Sequence, residues 1–170
     1  HKRLMTSTER FLVLLAAFPQ VQKPHSETCQ RFISEIAPLY ERYVNIGIPD
    51  KEGVLTCNGT QLESPLDLSD RRYIRDAVMQ DRFTSSGVHI DRTLGIPTVN
   101  FAYPVHSLTD QKEIVGAAVA VISLDWWSVL LNSNQLPENT LSYLLDNHGN
   151  PVASYPDKTA FDIPKHFNMI

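Results

Sequence analysis

Three arginines, Arg71, Arg72 and Arg75, crowd one short segment of this chain, and His89 and Asp91 follow two residues apart. A guanidinium at the first turn of a helix, where unpaired backbone N–H groups already attract anions, can grip a carboxylate through two parallel hydrogen bonds. Arg71, Arg72 and Arg75 together read most simply as a solvated basic face, and Arg71, at such a turn, carries the sharper reading. Tyr73, Phe101 and Tyr103 either wall a ligand or fill a core, and spacing alone leaves both readings open. His89 and Asp91 would add polar contacts. With His106 on the neighbouring strand they also form the best metal candidate, because alternate strand residues share a face. Polar side chains at a sheet edge explain the same three residues without a metal, and His25, His148 and His166 show that histidine is simply frequent. No GxSxG elbow, phosphate-binding glycine loop, HExxH helix or kinase signature occurs, so the common catalytic templates have nowhere to sit. A non-catalytic chain without cofactor or metal is expected.

These residues need elements to hold them. Leu4, Phe11, Leu15 and Phe18 recur near helical spacing until Pro19, predicting a long first helix with one apolar stripe. A second helix is predicted after Pro24, with Ser26 as N-cap, Cys29, Phe32, Ile33 and Ile36 on one face, and Pro38 as its stop. Residues 43–49 and 53–57 read as a hairpin around Pro49-Asp50-Lys51-Glu52-Gly53, whose glycine can supply positive φ. The acidic pair there lacks the alternating oxygens of an EF-hand loop and reads as a solvated turn. Ser69 is expected to cap a helix over 70–80, with Asp70 near the positive end of its dipole. Strand-like runs follow at 88–92, 98–106 and 114–124, separated by Leu94-Gly95-Ile96-Pro97 and by the polar stretch 107–113. The last run is almost continuously apolar and reads as a central strand. Asp125 is expected to cap a short helix carrying Trp126, Trp127, Leu130 and Leu131. Beyond Pro137, Leu145-Asp146-Asn147-His148-Gly149 echoes the spacing of residues 48–53, which hints at the first strands of a second module. The predicted fold class is α+β.

At 170 residues and 19.2 kDa the chain can bury a sizeable core without help from a metal. Its net charge is -4 and its fifteen Lys and Arg are scattered, so the electrostatic footprint of a nucleic-acid partner is missing. The longest apolar run, 11–18, is well short of the ~20 residues that cross a bilayer. His1-Lys2-Arg3, with no initiator Met and no signal-peptide pattern, reads as the edge of an excised fragment. Cys29 and Cys57 make neither a CxxC motif nor a metal cluster, and are either two buried thiols or one disulfide stapling a helix to a sheet edge.

Taken in order, Ser69-Asp70-Arg71-Arg72-Tyr73-Ile74, Gly87-Val88-His89-Ile90, Gly95-Ile96-Pro97, Phe101-Ala102-Tyr103-Pro104-Val105 and Gly116 with its apolar strand resemble the double Cache domains. These are PAS-like ligand sensors of bacterial receptors. The resemblance runs from the first helix to the Asn147-His148-Gly149-Asn150 turn. It implies a long N-terminal helix packed on a PAS-like antiparallel sheet. It also implies a division into N-terminal helices over 1–40, a ligand-sensing Cache domain over 41–136, and the start of a membrane-proximal module over 137–170. A Cys29–Cys57 disulfide and a ligand site of Arg71, Tyr73, His89, Asp91, Phe101 and Tyr103 are further implied. Amino-acid-binding members carry an Arg followed by aromatics, a Tyr and an Asp two apart, and an Asp on the last strand. Here Arg71, Tyr73 and Asp91 fit, but His89 stands in place of the Tyr and Ile74 in place of an aromatic. The last strand offers only Ala118, Ala120 and Val121 near the position of its Asp. An ammonium group would then lack its charge partner, so a small organic anion is expected rather than an amino acid. The implied function is the periplasmic sensing part of a membrane-anchored signalling protein with a diguanylate cyclase, histidine kinase or chemoreceptor output. Its first helix would suit a homodimer. The alternative is a ligand-free dimerisation module with a filled core.

Overall fold

The computed structural model describes residues 2–125, 142–145 and 151–155. Its longest strands are β6 (Pro97–His106) and β7 (Ile114–Ser123), paired antiparallel from Thr98↔Ser123 to His106↔Ile114. β1 (Asn45–Pro49) lies on the other side of β7, followed outward by β2 (Val54–Asn58) and β3 (Leu66–Asp67). Two short strands, β4 (Thr84–Ser85) and β5 (His89–Ile90), both pair with β6 and complete a seven-stranded antiparallel sheet. β7 is apolar along almost its whole length because helices cover both of its faces, so neither parity of its side chains meets water.

α1 (Lys2–Ala16) and α2 (Glu27–Ile36) pack on one face of the sheet and α3 (Arg72–Gln80) on the other. Ser26 caps α2, its Oγ accepting from the Cys29 N–H at 3.1 Å, and Cys29 and Ile33 are buried beneath the helix. Cys29 is bonded to Cys57 of β2, closing the pair of alternatives in favour of the disulfide. In the β1–β2 turn, Asp50 Oδ1 accepts from the N–H groups of Glu52 and Val54, and Gly53 takes φ +91°. One oxygen of the acidic side chain thus serves the turn, and the other meets His25 Nε2 at 2.6 Å.

Several elements differ from expectation. The buried stripe of α1 is Thr8, Leu12 and Leu15, not Phe11 and Phe18. Those rings leave the stripe for aromatic partners: Phe11 lies on Tyr40 and Tyr43, and Phe18 on Phe32. Thr8 can be buried because the Tyr43 hydroxyl donates to it. α3 starts at Arg72 with Arg71 at the N-cap, and Ser69 does not cap it. The Ser69 N–H is drawn to Asp67 Oδ1, and Asp70 is held by Arg92, so the residues before the helix are occupied elsewhere. The strand expected over 88–92 shrinks to β5, because the Asp91 side chain turns the chain at once.

Residues 1–123 form one compact unit and 124–170 another. Within the second, β8 (Ser142–Leu145) and β9 (Pro151–Tyr155) pair antiparallel as a two-stranded sheet. The short helix expected over 126–131 and the boundary expected after 136 lie outside the described residues.

The disulfide spans 28 residues, a loop for which the chain-entropy relation gives about 3–4 kcal/mol. Urea unfolding of the Cys29→Ala/Cys57→Ala variant is expected to show a stability loss of roughly that size relative to the oxidised wild type.

Candidate functional site

A cleft of about 370 Å³, counted out to its open mouth, lies on the α3 face of the sheet. Strand alternation builds its floor. Val119 and Val121 of β7, Gly47 of β1 and Asn100 of β6 share one face through the pairs Gly47↔Val119 and Asn100↔Val121. Gly47 keeps that floor low, since a Cβ there would come 2.9 Å from Asn58 Oδ1 and 3.0 Å from Leu55 Cδ1. The walls come from the start of α3, which supplies Arg71 and Tyr73, and from the β5–β6 connection, which supplies His89, Asp91, Arg92 and Thr93.

Asp91 is buried, and its charge is met by hydrogen bonds. Oδ1 accepts from the Thr93 hydroxyl at 2.6 Å and from the N–H groups of Thr93 and Leu94, while Oδ2 accepts from Asn100 Nδ2 at 3.3 Å. Gly95, at φ +67°, then lets its own N–H return to the Asp91 carbonyl and complete the turn. Asn100 also donates to the Tyr73 hydroxyl at 3.1 Å and accepts from Thr98. Burial pushes the Tyr73 phenol up to about 12, so it is a neutral O–H at any physiological pH. The His89 ring stacks on Tyr73 with centroids 5.8 Å apart, and its Nδ1 faces the Gly87 carbonyl at 3.1 Å. Burial lowers the His89 pKa, and the nearby Arg71 charge lowers it further. The ring is therefore neutral near pH 7, with Nδ1–H donating and Nε2 left as an acceptor.

Two arginines reach in opposite directions across the mouth. Arg71 donates from the α3 side to the Ile90 carbonyl at 3.1 Å. Arg92 donates from the β5–β6 side to the Asp67 carbonyl and forks onto both carboxylate oxygens of Asp70, at 2.8 and 2.5 Å. The fork holds the Asp70 carboxyl below its ordinary range and raises Arg92. Arg92 is thus neutralised by a carboxylate, while Arg71 spends one donor on a carbonyl and keeps the rest of its fork and its charge.

Of the six residues expected at a ligand site, Arg71, Tyr73, His89 and Asp91 come together here. Phe101 and Tyr103 do not, because they pair with Ala120 and Ala118 and so project from the opposite face, with Phe101 stacked on Phe83. His89 pairs with Thr98 of β6, whereas His106 lies eight residues further along that strand, roughly 26 Å at about 3.3 Å per residue, and meets Asp81 at 2.8 Å. The His89–Asp91–His106 metal grouping therefore does not form, and among the described residues no cluster of three His, Cys, Asp or Glu side chains is placed to hold a metal. Arg72 and Arg75 are solvated, the former pairing with Asp76 one turn on. Asn45, Asn58, Asn100, Arg92 and Thr93 were not anticipated at the cleft. Asn100 carried a signal, being the polar residue inside the apolar run of β6, in phase with Thr98 rather than with Phe101.

No protein-family model matches the chain, and no curated protein is significantly similar in sequence. Solved structures do match its fold. The extracellular domain of rpHK1S-Z16, described as a candidate histidine kinase, superposes with a TM-score of 0.72 at 23% identity, covering 89% of this chain and 63% of that one. The ligand-binding domain of the Campylobacter jejuni chemoreceptor Tlp3, in complex with L-valine, gives 0.68 at 13% identity, covering 90% and 64%. The Pseudomonas aeruginosa amino-acid chemoreceptor PctC, in complex with GABA, gives 0.56 at 20% identity, covering 79% and 57%. The fold is therefore that of Cache-type extracellular sensor domains of histidine kinases and chemoreceptors, as the resemblance in sequence implied. The chain spans less than two thirds of the length of these structures.

Replacing Asn100 by Leu strips donors from the buried Asp91 and Tyr73 oxygens and is expected to lower stability by about 1–3 kcal/mol in urea unfolding. His89 is expected to titrate below 6.5 in NMR spectra of the folded protein. Because the unfolded histidine takes its proton at higher pH, stability should be full above about 6.5 and fall as pH drops through the folded midpoint. The fall should be smaller in His89→Gln.

Proposed function

We propose that this chain is the sensing part of a transmembrane signalling protein, lies outside the cytoplasm, and binds a small organic anion in the cleft below α3. The observation that carries the reading is Arg71, which lines the cleft with most of its guanidinium donors uncommitted, beside an Arg92 already neutralised by Asp70. The cleft therefore offers one cationic fork of the geometry a carboxylate fits. Its lone carboxylate, Asp91, is largely satisfied by its own turn. That balance favours an anion over a zwitterion, although Tlp3 and PctC were solved with an amino acid and with GABA.

A buried disulfide supports an oxidising compartment. The outputs carried forward are a histidine kinase and a chemoreceptor, the classes to which the matched structures belong. The sensing unit itself performs no chemistry. β6 and β7 are shared between the cleft and α1, so an occupied cleft would report by favouring one packing of α1 on the sheet, to the extent that the ligand binds that packing more tightly. Val13 and Leu14, on the outer side of α1, remain exposed and suit a helix-to-helix contact with a second copy.

A thermal-shift screen with short carboxylates and amino acids tests the reading. A ligand at a hundred times its Kd adds about 2.7 kcal/mol, or about 5–10 °C for a domain of this size. A carboxylate should give that shift in the wild type and lose it in Arg71→Ala. A hit that survives Arg71→Ala unchanged would refute the assigned site, and silence from every carboxylate would favour the ligand-free dimerisation module.

A further inference from the structure

Granting the carboxylate reading above, the uncommitted hydrogen-bonding groups of the cleft define the rest of the ligand. Most of its polar atoms are already spoken for. Both Nδ2 hydrogens of Asn100 are used, on Tyr73 and Asp91, and Asn45 donates to Asn58 and Thr93 while its Oδ1 accepts from the N–H groups of Ile46 and Thr60. Thr93 accepts from Asn45 and donates to Asp91. Beside the Arg71 fork, two groups on adjacent rings stay open. The Tyr73 hydroxyl accepts from Asn100 and keeps its own proton to give, and His89, with Nδ1–H turned to Gly87, keeps the Nε2 lone pair to receive.

One donor beside one acceptor is the complement of an alcohol, which receives a proton on its oxygen and gives one from it. It is a poor complement of an ammonium group, whose three N–H bonds need three acceptors and which gains nothing from a phenol proton. Asp91 also lines the cleft, and its Oδ2 already accepts from Asn100. We propose that the cleft is selective for a short hydroxycarboxylate, with its carboxylate on Arg71 and its hydroxyl between Tyr73 O–H and His89 Nε2. The 370 Å³ of the cleft includes its open mouth, so the space between its walls limits the ligand to a few carbons.

Matched probes on one carbon skeleton separate this proposal from the reading it rests on. Calorimetric titration of the wild type with propanoate, 2-hydroxypropanoate and 2-aminopropanoate, and with the corresponding four-carbon series, should rank the hydroxy acid first. One neutral hydrogen bond predicts a preference over the unsubstituted acid of roughly 3–10-fold. Tyr73→Phe, which keeps the ring and removes the donor, should bring the hydroxy acid close to the unsubstituted one when both are titrated into the same variant. Equal binding of all three, dependent on Arg71, would overturn the hydroxyl assignment while leaving the carboxylate site intact. An amino acid ranked first would overturn it too, and binding of none would overturn both. The wild-type ranking decides the matter even if Tyr73→Phe folds poorly.

Discussion

The register between β6 and β7 is the constraint on which the rest depends. Side chains alternate along a strand, so the pairing Phe101↔Ala120 sends that couple to the α1 side and the neighbouring Asn100↔Val121 to the α3 side. A slip of one residue would turn Asn100 into the α1 core and place Phe101 on the cleft floor. Burial of Leu12 and Leu15 against one face and of Tyr73, Ile74 and Ala77 against the other makes that slip costly, because it would expose polar atoms to apolar surroundings on both sides at once.

Within that frame, the cleft holds its polar groups by saturating them. Asp91 is buried without a cationic side chain bonded to it, and the donors that meet it come from its own turn and from Asn100. Such a carboxylate is fixed in place before any ligand arrives, and so are Tyr73 and His89, which are tied to the same network through Asn100 and through ring stacking. Preorganisation of this kind reduces the ordering cost of binding. The mouth is different: Arg71 and Arg92 cross it in opposite directions, using largely exposed groups whose ion pairing salt can screen.

The two faces of the sheet are joined by the same residues of β7. Val119 and Val121 touch the cleft while Ala118, Ala120 and Ile122 lie under α1, so any displacement of the strand is felt on both sides. The disulfide anchors α2 to β2 at the far side of β1, while α1, on the same face of the sheet, packs on β6 and β7 without a disulfide of its own.

Much of the fold was legible because local chemistry decided it. Ser26 caps α2 since its side chain reaches the Cys29 N–H three residues on, Gly53 turns the hairpin since only glycine takes that φ without strain, and β7 reads as central since its apolar run has no polar phase. Arg71, which turns out to be the N-cap rather than a first-turn residue, lines the cleft together with the alternating His89 and Asp91. What the sequence could not decide was any choice made by partners distant along the chain. Phe11 left the α1 stripe for Tyr40 and Tyr43, Asp70 was claimed by Arg92 twenty-two residues away, and Phe101 and Tyr103 took the face opposite the cleft. Those outcomes depend on which strand lies beside which and in what register, and only long-range packing sets that.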